Sequence, residues 1–299
     1  MRPTLRQLEY IIAVAETGHI GQAAKRLNVS QPSLSVQLAD AEAELGTTLF
    51  QRSRAGCHPT SAGEEVVKRA RFILDAVSRL KENARGDDLF AGRLRLGVLP
   101  SVGPYLLPPV VAKLHRENPQ FKISIREEST KDLDAGFRDG RLDMIISTPE
   151  DHPGLTETPL FRESLWAGIA PDHSLSGSTA PLELKKLKGE VLLTIGQRHR
   201  LSHLVVGFAQ IAGAHVVDDY EGTSLDAIRL MASSGAGIAI LPEIYAKTEA
   251  QRGMELVLRK LRDPTAHRNM SLFAQGSFDP TDVGRFADAL KENAENILS

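Results

Sequence analysis

The chain has 299 residues, with 36 Lys/Arg against 38 Asp/Glu, a net charge of −2, 41% hydrophobic and 25% charged residues. That is an ordinary composition for a globular chain with two or three separate cores. No apolar run approaches the roughly 18 residues of a membrane span, no apolar signal core follows Met1-Arg2-Pro3-Thr4-Leu5-Arg6, and one cysteine leaves no internal disulfide, so the expectation is a cytoplasmic protein without membrane contact.

Leu5, Leu8, Ile12 and Val14-Ala15 fit an amphipathic first helix. Residues 20–45 then read as helix, tight turn and second helix. The small pair Ala23 and Ala24 permits close helix approach, Asn28-Val29-Ser30 breaks the pattern, and Ser30 suits an N-cap because its hydroxyl accepts from an orphan backbone N–H. Pro32 is tolerated in a first turn. Leu34, Leu38, Ala41 and Leu45 form the expected buried stripe. The opposite face carries Gln31, Pro32, Ser33, Ser35, Val36 and Gln37 and is expected to enter a DNA major groove, where Gln can read adenine and Val can meet a thymine methyl. Two short extended pieces around Gly56 predict a wing with Arg52 and Arg54 on phosphates. The same pattern also fits an ordinary three-helix core with a hairpin. The overall charge does not oppose DNA binding, since residues 1–86 hold twelve Lys/Arg against nine Asp/Glu. The DNA-binding domain is expected at 1–60.

Thr60 is a candidate cap for a long helix, and Val66, Ala70, Ile73, Val77, Leu80 and Ala84 follow at alternating spacings of four and three. Such a seam fits a partner helix, or packing on the chain's own core. The linker is expected at 61–87, with Arg85-Gly86-Asp87-Asp88 as a hinge.

From Arg93 onward strands and helices alternate. Strands are expected at 94–99, 121–126, 144–146, 166–169, 191–195 and 239–241, and helices at 101–117, 130–138, 201–211 and 224–233. This rhythm predicts an α/β domain of parallel sheets over 88–299, bilobal in the form of a periplasmic-binding-protein-like fold, behind the helical N-terminal domain. The chain is expected to cross between lobes near 161–170 and 262–271, giving lobe I about 88–163 and 268–299, and lobe II about 164–267. Ligands of such sheets sit at the carboxyl ends of the strands. Ser101 and Val102, Thr130, His199 and Arg200, and Thr223 lie at those ends. Each hydroxyl could equally be a plain helix cap. His199 and His203 lack a carboxylate or cysteine motif beside them, so no metal site is expected. There is no Walker A, no Gly-x-Ser-x-Gly elbow and no dinucleotide fingerprint, so neither a cofactor nor a catalytic residue is predicted.

The order Leu8-Glu9-Tyr10, Ala23-Ala24, Ser30-Gln31-Pro32-Ser33-Leu34-Ser35, Glu42, Leu45-Gly46 and Leu49-Phe50 resembles the LysR-type transcriptional regulators. The resemblance implies a winged helix-turn-helix on double-stranded DNA, a dimerising linker helix and a small-molecule effector bound between the lobes. It also implies a homodimer that pairs again into a homotetramer, with RNA polymerase as a candidate further partner. A bilobal solute-binding protein or enzyme without DNA function is the competing class. Residues 98–108, His199-Arg200-Leu201 through Gly207-Phe208, and Thr223-Ser224-Leu225 are similar to the peroxide-sensing OxyR branch of that family. In that branch a cysteine follows the histidine and a second lies downstream. Here Arg200 and Ala209 stand at those places, and neither can form a sulfenic acid or a disulfide. Arg200 favours an anionic or carbonyl-bearing effector, although it could also face solvent or pair with Asp218 or Asp219. Many relatives carry arginine at the Val36 position and basic residues near Ala39 and Asp40, which implies fewer charge contacts by this helix.

Overall fold

The computed structural model describes residues 3–53, 56–83, 89–217, 221–253 and 255–299. Contacts divide the chain into two compact units, essentially the residues before and after position 92.

The N-terminal unit contains α1 (Leu5–Thr17), α2 (Ile20–Arg26), α3 (Gln31–Leu45), β1 (Phe50–Ser53), β2 (Gly56–Pro59) and α4 (Ser61–Asn83). Local chemistry sets most of the boundaries. Thr4 and Gln7 cap α1 reciprocally, Gly18 ends it in the left-handed region at φ 67°, and Asn28 makes the turn between α2 and α3 at φ 54°. Ser30 Oγ accepts from Ser33 N at 3.3 Å, so the expected cap opens α3. Leu8, Ile11, Val14, Ala23, Leu34, Leu38, Leu49 and Phe50 close one core. Glu42 serves that core from its edge, accepting from Leu49 N at 2.7 Å and Phe50 N at 3.1 Å.

Several positions depart from the sequence pattern. Leu5 and Leu45 are exposed, because each lies in a terminal turn beyond the reach of the core. Val67 and Ala70 on α4 pack into the winged-helix core, so Ala70 belongs to that core and not to a seam. Ile73 and Leu80 stay 46% and 70% exposed. Thr60 caps α4, accepting from Gly63 N at 3.0 Å. Ala84 and the hinge at 85–88 lie outside the described residues.

The second unit carries β3 (Arg93–Val98), α5 (Gly103–Glu117), β4 (Lys122–Glu127), α6 (Thr130–Arg138), β5 (Met144–Ser147), β6 (Glu157–Ile169), β7 (Leu182–Glu183), β8 (Val191–Leu193), α7 (Arg200–Ala212), β9 (His215–Val216), α8 (Leu225–Ser233), β10 (Ile238–Pro242), β11 (Val257–Arg262), β12 (His267–Ala274) and a C-terminal helix, Pro280–Leu298. Its ten strands run β4-β3-β5-β12-β6-β10-β8-β9, with β11 added to β6 and β7 to β11. In the first lobe β4, β3 and β5 are parallel and β12 is antiparallel to β5. In the second, β10, β8 and β9 are parallel.

β6 joins the lobes. Residues 157–164 pair with β12, and residues 165–169 pair with β10 and β11. It is therefore much longer than the 166–169 strand that its apolar run suggests. The crossover is a two-stranded antiparallel ribbon in which Glu163 faces Arg268 and Ser164 faces His267. Leu165, Ala167, Leu192, Val205, Phe208, Ile228, Leu241 and Tyr245 fill the second lobe, and β3 and β5 are buried through most of their length in the first.

Candidate functional site

The surface of α3 is built by its period. Leu34, Leu38 and Ala41 are buried, and the cap at Ser30 turns the first turn outward. Gln31, Pro32 and Ser33 are exposed, Val36 is 57% exposed, and Ser35 and Gln37 are half-buried on the flank of the same face. This face carries hydroxyl, amide and methyl groups without a fixed charge. The wing carries Arg52, exposed on β1 opposite Cys57 of β2. Arg54 lies outside the described residues. The wing leans on the end of α1: Cys57 N donates to Gly18 O at 2.7 Å. A Cβ on Gly56 would sit 2.7 Å from that same oxygen, and its φ of 133° disfavours any side chain. Cys57 is 4% exposed. Burial pushes its thiol pKa up, against a smaller opposing pull from Arg52, so the sulfur stays protonated near neutral pH.

The second constellation lies at the strand ends of the bilobal unit. Ser101 does not cap α5. The N-cap is Val102, which is fully buried, and Val102 N and Gly103 N both donate back to Leu99 O. Ser101 Oγ instead accepts from Arg268 Nη1 at 2.8 Å, while Arg268 Nε donates to Glu163 Oε1 at 2.7 Å. Glu163 Oε2 accepts from Ile244 N at 2.9 Å. All three side chains are buried, so the arginine and glutamate compensate each other at the crossover.

Thr130 is buried at the start of α6, but Ser129 is the capping hydroxyl, donating to Asp132 Oδ2 at 2.6 Å and accepting from Asp132 N at 3.3 Å. Asp132 also accepts from Arg198 Nη2, with both carboxylate oxygens at 3.0 Å. Arg200 Nη1 lies 3.5 Å from Asp151 Oδ1. Asp151 is held in turn by the hydroxyl of Thr148, a fully buried residue. Two arginines of the second lobe thus meet two aspartates of the first.

His199 sits between those arginines as the N-cap position of α7, without a side-chain capping bond. Desolvation first and Arg198 second hold its pKa below the ordinary histidine value, with Asp132 opposing, so it is neutral near pH 7. Thr223 is exposed, and Ser224 is the residue that caps α8, through Ala227 N at 3.2 Å. The alternative partners Asp218 and Asp219 lie outside the described residues. No group of three His, Cys, Asp or Glu among the described residues could hold a metal ion, and no helix among them is long and apolar enough to cross a membrane. The aspartates, Glu163 and Arg268 were not legible in advance. Each acts on a partner more than 60 positions away, or nearly 50 for Asp151, and only Asp132 and Asp151 have a local signal, each as an acid in a first helical turn.

Comparisons with known proteins agree with this architecture. Residues 5–64 match the bacterial regulatory helix-turn-helix protein, lysR family, and residues 87–295 match the LysR substrate binding domain. The hydrogen peroxide-inducible genes activator of Pectobacterium carotovorum subsp. carotovorum is 36% identical over 297 residues, covering 98% of both chains. The DNA-binding transcriptional dual regulator OxyR of Escherichia coli K12 is 36% identical over 96% of this chain and 94% of its own. A solved full-length OxyR variant from Pseudomonas aeruginosa superposes with a TM-score of 0.77 at 31% identity, covering 96% of this chain and 97% of that one. The chain therefore belongs to the LysR family of DNA-binding transcription regulators, with a helix-turn-helix N-terminal unit and a two-lobed effector-binding domain.

Proposed function

We propose that this regulator responds to a small anionic effector, bound between the lobes of its 88–299 domain, and not to thiol oxidation. The observation that carries the reading is the pairing of Arg200 with Asp151 across the cleft, beside Arg198 with Asp132. An anion that replaces either aspartate keeps the arginine compensated and frees the carboxylate, so its binding alters the tie between lobes. Ser101, Val102, Thr130, His199 and Thr223 complete the proposed site, with neutral His199 offering a hydrogen bond without a charge. The sole cysteine is buried in the wing with its thiol held protonated, which supports the same conclusion.

The operator is read by Gln31, Pro32, Ser33, Ser35, Val36 and Gln37 of the 1–60 domain, while Arg52 and Arg54 hold phosphates. The 61–87 linker dimerises through Ile73, Val77 and Leu80, whose exposure in the single chain supports a partner helix. Effector domains pair again to form a tetramer, and RNA polymerase is a further partner at promoters. The protein works in the cytoplasm, where its DNA is.

A thermal-shift series of organic acids on the full chain tests the effector assignment. Stabilisation of the wild type that disappears in Arg200→Ala, with operator binding intact, is the expected result. Equal stabilisation of both proteins would remove Arg200 from the site.

A further inference from the structure

The crossover ribbon has two faces, and only one belongs to the effector site. Alternation along β6 and β12 sends Glu163 and Arg268 toward Ser101, and sends Arg162, Ser164 and His267 to the opposite side. That opposite side opens into a cavity of about 730 Å³, closed further by Lys260 and Arg262 of β11 and by Glu243. We propose that this rear cavity is a second ligand site, for a compact organic polyanion bearing two or more carboxylate or phosphate groups.

The charge inventory carries the assignment. The acids in the cavity are already engaged. Glu243 Oε2 accepts from Ser164 N at 3.0 Å, and its Oε1 lies 3.9 Å from both Lys247 and Lys260. Asp263 accepts from Thr265 N at 2.8 Å and Thr265 Oγ1 at 2.6 Å, which holds its pKa below the usual carboxylate value. The cations are not engaged to the same degree. Among the described residues Arg162 and Arg262 have no hydrogen-bond or ion-pair partner, and both are exposed on the cavity wall. His267 also lines the cavity, with its Nδ1 buried behind the surface. Two free guanidinium forks and a half-compensated lysine suit a ligand with several acidic groups better than a single ion. The site backs onto the two strands that hold Glu163 and Arg268, so an occupant bridging β6, β11 and β12 bears on the same hinge as the effector.

Calorimetric titration of the full chain at constant ionic strength tests the site, with citrate as the polycarboxylate probe and fructose 1,6-bisphosphate as the phosphate probe. The expected result is saturable binding of one probe or both, weakened at least tenfold in Arg162→Ala/Arg262→Ala and unchanged within twofold in Arg200→Ala. Both arginines are exposed, and an unchanged melting point without probe shows that the double variant remains folded. Absence of binding by either probe overturns the proposal. So does binding that survives the double substitution, or binding that is lost in Arg200→Ala, which would place the probe in the front cleft.

Discussion

At the scale of single residues, charge is placed sparingly. The proposed reading face of α3 has no fixed charge from Gln31 to Gln37, so the proposed phosphate contacts fall to the wing. Arg52→Ala is expected to weaken binding to all sequences alike and to lower the slope of log K against log salt by about one. Filter binding at several salt concentrations measures both, and an unchanged slope would take Arg52 off the phosphate. His199 gives a second expectation. Its folded pKa lies below the ordinary value, so the unfolded chain binds more protons than the folded one between the two. Stability from this residue is therefore complete above about pH 6.5, and declines as pH falls from there toward the folded pKa. Melting curves from pH 8 to pH 5 should show a smaller acid loss in His199→Gln. The face of α3 was readable because capping and helical period are local properties. The roles of Asp132 and Asp151 were not, because an ion pair between distant segments leaves no pattern in either one.

Among the elements, α4 divides its apolar residues between two tasks. Val67 and Ala70 anchor it in the winged-helix core, while Ile73 and Leu80 stay exposed and Val77 half-exposed. Val77→Asp would place an unpaired charge in the proposed seam, where an uncompensated buried charge costs about 3–5 kcal/mol. Analytical ultracentrifugation should find smaller species, together with lost operator binding and an intact helical spectrum. A variant that remained fully assembled would show that the seam does not hold the oligomer. Ser30→Ala removes the hydroxyl that accepts from Ser33 N, and caps of this kind contribute about 1 kcal/mol. Its melting point should fall, and the loss should be confined to the N-terminal transition. The heptad spacing was visible in the sequence, but it could not separate Ala70 from its seam neighbours. Both the core and a partner helix ask for a small apolar residue at that spacing. β6 illustrates the same limit in sheets. Its first part, residues 157–164, has only Leu160 and Phe161 as large apolar side chains between polar residues and does not form a continuous apolar run, so it is silent to a search for buried strands.

For the molecule as a whole, the question is how a chain so similar to peroxide-responsive regulators transmits a signal without their cysteine pair. A thiol switch needs a thiolate, which is the species that peroxide oxidises, and usually a second cysteine to resolve the sulfenic acid. Here the positions matching that pair hold Arg200 and Ala209, and the lone thiol of Cys57 is buried, protonated and located in the DNA-binding unit. Beside the β6 and β12 ribbon, the lobes face each other through the ion pairs Arg200–Asp151 and Arg198–Asp132, and ion pairs respond to competing anions, not to oxidants. An effector can move the balance between two arrangements only by its difference in affinity for them, and about 1.4 kcal/mol of difference is a tenfold shift. Asp151→Asn keeps the shape of the side chain and removes its charge, so Arg200 loses its counter-ion and an anionic effector no longer has to displace one. The expectation is tighter effector binding in Asp151→Asn, weaker binding in Arg200→Ala, and normal basal operator affinity in both. Footprints with and without peroxide should be identical in the wild type and in Cys57→Ser. A peroxide-dependent footprint that vanished in Cys57→Ser would return control to the thiol. Effector binding that Asp151→Asn left unchanged would mean that Arg200 serves the fold and not the signal.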